Sequence, residues 1–424
     1  MNAERPYRGR HLVTADRGFA TGAGLWSRLL APGFRRVLDR IDAGLESGAI
    51  DATLPDGTRR LIGGHADGPV PIVELRSWRA LVRLMTSGSV GWYRGWAEGE
   101  WTSPDPVPLF DLFMRNRISL GEAARARGLN RIVNRVKHAL RHNSKAGSRR
   151  NIEFHYDLGN DFYAAWLDRT MTYSSARFAE PITVAEPLEQ AQERKVRMLL
   201  DGLELKPGER LLEIGCGWGG LAEIAARDYG VHVTGITLSV EQKAWAEARI
   251  AAAGLSDRVE FRLVDYRDVQ GCFDAVASVE MVEAVGEAYW AAYMEAIARA
   301  LKPGGRAAIQ FIDIDDAIFA DYAESADFIQ TYIFPGGMLI SDSRFRAAAE
   351  KAGLAWGAVD RFGLHYAETL RRWRESFDRA AAVNQLPAGF DENFVRLWRY
   401  YLMYCEGGFR GQGIDVAQVT LMRR

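Results

Sequence analysis

Between residues 210 and 312, apolar residues come in short blocks separated by stretches of helical spacing. Residues 210–214 form a brief apolar run, 231–236 and 259–264 give two more, and 273–279 and 306–312 continue the series. Between the first three runs, 219–228 and 240–253 place apolar residues at helical intervals. Strand-length runs alternating with helices predict an α/β fold, with a central, mostly parallel sheet covered on both faces. Upstream the texture differs. β-type runs such as 66–75, a helical stretch at 77–85 and the aromatic segment Gly91-Trp92-Tyr93-Arg94-Gly95-Trp96 predict a smaller N-terminal α+β domain over residues 1–114. Residues 115–150 read as a basic amphipathic linker and 151–424 as the larger domain.

In that linker Ile132, Val133, Val136 and Leu140 recur at helical spacing, while arginines and Lys137 take the other faces. Arg115, Arg117, Arg125, Arg127, Arg131, Arg135, Lys137, Arg141, Lys145, Arg149 and Arg150 stand against the single acid Glu122. Such a segment predicts docking on anionic lipid, where each cation near the headgroups contributes roughly 1 kcal/mol. A solvated linker is the bland reading, and a nucleic-acid patch is set aside. The net charge of −1 makes any basic surface local. Cys216, Cys272 and Cys405 have neither the number nor the spacing of a disulfide framework or zinc site, so no metal is implied. With no apolar run long enough for a signal peptide or a membrane span, the expectation is a cytoplasmic protein associated peripherally with the inner face of the membrane.

Candidate chemistry starts at Gly215-Cys216-Gly217-Trp218-Gly219-Gly220, between the first strand and its helix. Missing side chains there let backbone approach a ligand, and helix N–H groups face it. The run also satisfies the dinucleotide fingerprint, which calls for an acid about 20 residues on. Gly235-Ile236-Thr237-Leu238-Ser239 supplies no carboxylate, and Gln242 just beyond offers an amide for ribose hydroxyls. Asp265-Tyr266, past the third strand, suits an adenine amine and ring, and Lys302-Pro303-Gly304-Gly305 predicts a tight turn before the fifth strand. Together these favour a Rossmann-like, class I S-adenosylmethionine-dependent methyltransferase over a nicotinamide enzyme.

The sequence from Asn151 onward closely resembles the cyclopropane-fatty-acyl-phospholipid synthase and mycolic acid methyltransferase family. The resemblance rests on Asn151-Ile-Glu-Phe-His155-Tyr156-Asp157-Leu-Gly-Asn160-Asp-Phe162-Tyr163, Met171-Thr-Tyr173-Ser174-Ser175, Leu211 to Gly219, Thr237 to Gln242, Asp265 to Asp268, Tyr332 to Gly337 and Tyr400 to Arg410. It implies that Tyr173, Ser174, Gly215, Cys216, Gly217, Trp218, Gly219, Thr237, Leu238, Ser239, Gln242, Asp265, Tyr266 and Val279 surround S-adenosylmethionine. His155-Tyr156-Asp157 would form part of a lid over an acyl-chain channel. The implied reaction is methyl transfer to the double bond of an unsaturated phospholipid acyl chain, giving a cyclopropane. Tyr163, Phe162, Phe334, Tyr366 and Phe409 are candidate linings for the cationic intermediate. A homodimer is one assembly left open.

In the family the base is generally a bicarbonate ion. The resemblance maps its partners to Glu283, Ile312 and Tyr366, while Ser175 stands in place of a usual Cys, Gln310 in place of His, and Ala284 where His commonly follows the glutamate. Ser and Gln still donate hydrogen bonds to an anion, but a titrating His is missing. These departures make a methyl- or methylene-branched product the alternative to a cyclopropane. A non-catalytic lipid-binding relative and a natural-product methyltransferase are further readings. Cys405 matches a cysteine suspected of catalysis in the family, with a structural role the simpler expectation.

Overall fold

Seven strands carry the site: β5 (Arg210–Ile214), β6 (His232–Thr237), β7 (Val259–Leu263), β8 (Phe273–Val279), β9 (Leu301–Ile314), β10 (Leu354–Arg361) and β11 (Ile414–Arg423). Four shorter ones precede them: β1 (Ala49–Thr53), β2 (Arg59–Gly63), β3 (Ile72–Leu75) and β4 (Trp101–Thr102). The structure is a computed structural model and describes residues 8–15, 31–121, 158–324 and 327–424. Most of the basic linker and the His155-Tyr156-Asp157 segment lie outside the described residues.

The chain packs as two compact units, the first comprising residues 1–141, 315–335 and 388–414, the second 142–314, 336–387 and 415–424. The sequence reading expects a single boundary at the linker. The first unit, however, also takes in two segments from the C-terminal half, because their apolar faces belong to its aromatic core. Tyr93 packs against Phe328, Tyr332 and Tyr400 with ring centroids 4.7–5.0 Å apart. Helix Glu392–Arg410 runs beside helix Val107–Arg115, where a Cβ on Gly407 would fall 2.4 Å from Phe110 Cβ. The sheet of this unit has the order β2-β1-β3-β4.

In the second unit the order is β10-β11-β9-β8-β5-β6-β7. Strands β7, β6, β5, β8 and β9 are mutually parallel, and β10 pairs antiparallel with β11. After β5 the chain winds outward through β6 to β7, then crosses back to lay β8 on the other side of β5. The carboxyl ends of β5 and β8 therefore flank a topological switch point, where open α/β sheets bind ligands. Four of the five β5 residues are buried, as a parallel strand covered on both faces requires. Leu199, Leu200, Leu221, Ala225, Ala246 and Ile250 from the covering helices close over Leu211, Val233 and Ala277. Each fully buried leucine contributes about 2 kcal/mol. The predicted turn at Lys302-Pro303-Gly304-Gly305 is there, but as a bulge inside β9: pairing with β8 jumps from Leu301 to Arg306.

Candidate active site

At the end of β5 the chain turns through Gly215, Gly217 and Gly219, with φ of 83°, 51° and 84°, into helix Gly220–Asp228. These left-handed values need glycine. At Gly215 space demands it too, since a Cβ would lie 2.4 Å from Met281 Cγ. Beside the glycine turn, β6 ends in a polar latch. Thr237 Oγ1 donates to Gln242 Oε1 (2.9 Å), and Ser239 Oγ accepts from Gln242 N (3.2 Å), capping helix Val240–Ala252. The Gln242 oxygen is thereby used, leaving its amide NH2 as the end to donate. Leu238 is half-buried between them. Asp265 is less open than the sequence reading expects: Arg267 grips both its oxygens through Nε (2.7 Å) and Nη2 (2.6 Å). Tyr266 is buried edge-on to Tyr293, its hydroxyl pushed up to about 12 by burial.

Facing the turn, the loop through Tyr173, Ser174 and Ser175 is held from below. Gln192 Nε2 donates to Ser174 O (2.9 Å), and the buried Lys195 Nζ donates to Ser174 Oγ (2.6 Å). Tyr173 sits in an aromatic wall with Tyr163, Trp166 and Trp373 at 5.3–5.7 Å, extended by Trp218 against Tyr163 and by Tyr366 against Trp373. Phe162 lies behind this wall. Phe334, Phe409 and Cys405 belong to the other unit. Burial and the nearby Asp327 charge push the Cys405 thiol up, which makes it a poor nucleophile.

The residues assigned by resemblance to an anion site do come together, but on a carboxylate of the protein. Glu280 follows Val279 at the end of β8 with φ +50°, a strained backbone for a non-glycine residue. Its Oε1 accepts from Ser175 N (2.9 Å) and Gln310 Nε2 (2.8 Å), and its Oε2 accepts from Tyr366 OH (2.8 Å). The Ser175 hydroxyl turns instead to Ala176 O (3.0 Å). Glu283 stands beside this cluster with Oε1 accepting from the N–H of Ile312 and Oε2 without a partner among the described residues. Ala284 is exposed and Val279 half-buried. Burial and the Glu280 charge push the Glu283 carboxyl up to about 8, so near neutrality it holds a proton. Glu280 is also raised by burial, but Lys195, the Ser175 N–H, Gln310 and Tyr366 oppose that rise. These donors and the Lys195 charge favour the ionised form at Glu280.

Gln310, fully buried on β9, works as a fixed donor. Its Oε1 accepts from Gln418 Nε2 (3.0 Å) on β11, and Gln418 Nε2 also donates to Lys195 O (3.1 Å). A flipped Gln310 amide would set nitrogen against nitrogen and oxygen against carboxylate. Gln418→Leu is expected to lower turnover about tenfold by freeing that amide, measured as kcat with cofactor affinity as the control. Glu280, Lys195, Gln418 and Trp373 were missed by motif reading. The available signal for Glu280 was an acid directly at the carboxyl end of a strand beside the glycine turn.

Residues 143–419 match the family model described as mycolic acid cyclopropane synthetase. The chain belongs to this family. It is 41% identical over 389 residues to the tuberculostearic acid methyltransferase UfaA1 of Mycobacterium tuberculosis, covering 87% of this chain and 86% of that protein. It is 34% identical over 351 residues to the cyclopropane-fatty-acyl-phospholipid synthase of Escherichia coli K12, covering 80% and 85%. Among solved structures, the mycolic acid cyclopropane synthase CmaA1 complexed with SAH and CTAB superposes with a TM-score of 0.60 at 30% identity, covering 65% of this chain and 98% of that one. This member of the family is thus an S-adenosylmethionine-dependent methyltransferase of the class I fold. Its second unit supplies residues that fit the cofactor: a glycine cradle at the switch point, the Gln242 amide, and no carboxylate ending β6.

Proposed function

We propose that this methyltransferase adds a methyl group to the double bond of an unsaturated acyl chain carried on a membrane phospholipid, with Glu280 as the base. The observation that carries this is the Glu280 carboxylate itself, held by Ser175 N, Gln310 and Tyr366 where the resemblance assigns a bicarbonate ion. With those donors engaged and the Glu283 carboxyl alongside, the cluster does not fit a bicarbonate ion as a second anion. When bound, S-adenosylmethionine supplies an electrophilic sulfonium methyl. The glycine turn and the Tyr173–Ser175 loop align it with the alkene, and the aromatic wall of Tyr163, Trp166, Tyr173, Trp373 and Tyr366 excludes water and stabilises the cation. Transfer of that methyl to one alkene carbon would leave positive charge on the neighbouring carbon, which the aromatic wall would face.

Glu280 then takes a proton. Loss from the new methyl with ring closure gives a cyclopropane; a hydride shift to the cationic carbon before that loss gives a methylene branch. We favour the branched product, on two supports: the fixed protein base in place of an ion, and the likeness to a tuberculostearic acid methyltransferase over most of both chains. The cyclopropane reading has its own support in the family description and the Escherichia coli relative. Purified protein is to be incubated with S-adenosylmethionine and vesicles of monounsaturated phospholipid, and the acyl chains analysed by mass spectrometry. A gain of one CH2 on unsaturated chains is expected, with fragmentation placing a methylene branch; no gain on any acyl chain would overturn the proposal.

Membrane access is proposed to come from the basic segment. No helix among the described residues is long and apolar enough to cross a membrane. Changing Arg131, Arg135 and Arg141 to Glu is expected to weaken binding to anionic vesicles strongly at low salt and little at high salt. Sedimentation indifferent to the change would reduce the segment to a linker.

A further inference from the structure

A buried ammonium group, Lys195, lies among the carboxylates of this site. Lys195, on helix Leu188–Asp201, is 1% exposed, and its Nζ donates to Ser174 Oγ at 2.6 Å. Most lysines avoid such a position, since burying the charge is costly without compensation. Compensation comes from Glu280 at the end of β8 and Asp168 in the loop before Tyr173, with Glu213 on β5 a further carboxyl group that burial pushes up to about 8 and so leaves mostly protonated near neutrality. Of these, Glu280 acts on Lys195 most strongly, and Lys195 is the foremost charge acting on Glu280. Tyr366, on helix Gly363–Ala382, and Glu283, on helix Val282–Val285, are the other titratable groups facing Glu280 among the described residues.

We infer that Lys195 is a positioning residue for methyl transfer, keeping Glu280 ionised as the base and anchoring the loop whose Ser175 N–H holds that base. The inference rests on Glu280 being the base. Two independent lines run from Lys195 to the same carboxylate. One is through its side chain, by way of Ser174 Oγ to the loop that presents Ser175 N to Glu280 Oε1. The other is through its main chain: Lys195 O accepts from Gln418, Gln418 fixes Gln310, and Gln310 donates to the same oxygen. A helix is a rigid carrier, so both lines share one frame of reference. Lys195 touches neither the alkene nor the proton in transit; it acts through Glu280.

A neighbouring cation favours the ionised carboxylate, and its loss lets burial raise the carboxyl further. A base must be ionised to work, so losing Lys195 moves the acid limb of the kcat profile to higher pH. Burial brings the Lys195 ammonium itself down to about 8, which ties its charge to the presence of Glu280.

The test compares pH profiles of kcat for the full chain with S-adenosylmethionine and unsaturated phospholipid vesicles. Lys195→Gln removes the charge and keeps a donor for Ser174 Oγ; Lys195→Arg keeps the charge. The expected result for Lys195→Gln is an acid limb displaced upward by roughly one pH unit or more, with kcat near neutrality lowered at least ~10-fold. Lys195→Arg is expected to return the limb toward its original position. An acid limb in Lys195→Gln that coincides with the unmodified protein overturns the inference.

Should the variants fail to fold, lysine ε-carbon NMR of the chain carrying Glu280→Gln reads the same coupling from the other side. The Lys195 midpoint is expected to fall relative to the unmodified protein, and an unchanged midpoint counts against the inference. Glu280→Gln also separates the two readings. Retained turnover removes Glu280 as base, whereas lost turnover beside an unmoved limb in Lys195→Gln removes only the role given to Lys195.

Discussion

Glu280→Gln is expected to lower kcat by about 10²- to 10⁴-fold while leaving S-adenosylmethionine affinity and thermal stability close to those of the unmodified protein. The amide has the shape of the carboxylate, and its oxygen accepts from Ser175 N and Gln310 as before. Its nitrogen faces the Tyr366 hydroxyl, which accepts as readily as it donates. What disappears is the lone pair that takes the proton. Single-turnover assays would place the loss in the chemical step, and a kcat within a few-fold of the original would end the case for this base.

The same carboxylate sets the pH dependence. Burial raises Glu280 above the usual carboxylate range, so turnover of the unmodified protein is expected to fall as the medium is acidified through that raised value. Glu283, brought up to about 8, stays protonated through neutrality and withholds a second negative charge from the pocket. Glu283→Gln therefore resembles the state already present near pH 7. A smaller loss than that of Glu280→Gln is expected there, and the two variants measured side by side distinguish the glutamates.

Gly215→Val carries the second large expectation, loss of cofactor binding on the order of 10²-fold or more. The backbone at Gly215 has φ 83°, where an L side chain costs about 1–2 kcal/mol and a β-branched one more. Its Cβ would also meet Met281 Cγ at 2.4 Å and Sδ at 2.7 Å. Met281 directly follows Glu280, so relieving the clash by moving Met281 drags the base. Calorimetric titration with S-adenosylmethionine and a kcat measurement at saturating cofactor would show both effects. Unchanged affinity would mean that the glycine turn does not cradle the ligand.

How much of this was legible in the chain depends on how local each feature is. Strand–helix alternation from residue 210 onward, the glycine turn after Ile214 and the turn at Lys302 to Gly305 are written in neighbouring residues. Hydrophobic period and backbone conformation depend on what lies a few positions away, so these survive reading in one dimension. The meeting of Ser175, Glu280, Gln310, Tyr366 and Gln418 does not. They come from a loop, the end of one strand, two further strands and a helix, separated by up to 135 residues between directly bonded partners such as Ser175 and Gln310. Motif spacing drew attention to Glu283 through its place in Ser278 to Gly286. Glu280, three positions earlier, receives the donors because the end of β8 turns left-handed there and aims its carboxylate at the switch point.

The accessory elements teach the same lesson from the other side. Residues 388–414 read as a continuation of the catalytic region, yet helix Glu392–Arg410 gives Tyr400 to the aromatic core around Tyr93, and Cys405 goes with it. By itself, then, the sequence determined the α/β class, the cofactor turn and the family of the reaction, because each depends on short-range pattern. Only the tertiary structure decided which glutamate receives the Ser175, Gln310 and Tyr366 donors and which lysine is buried against the Ser174 hydroxyl. Those choices depend on the directions of side chains brought together from distant strands, which no local pattern encodes.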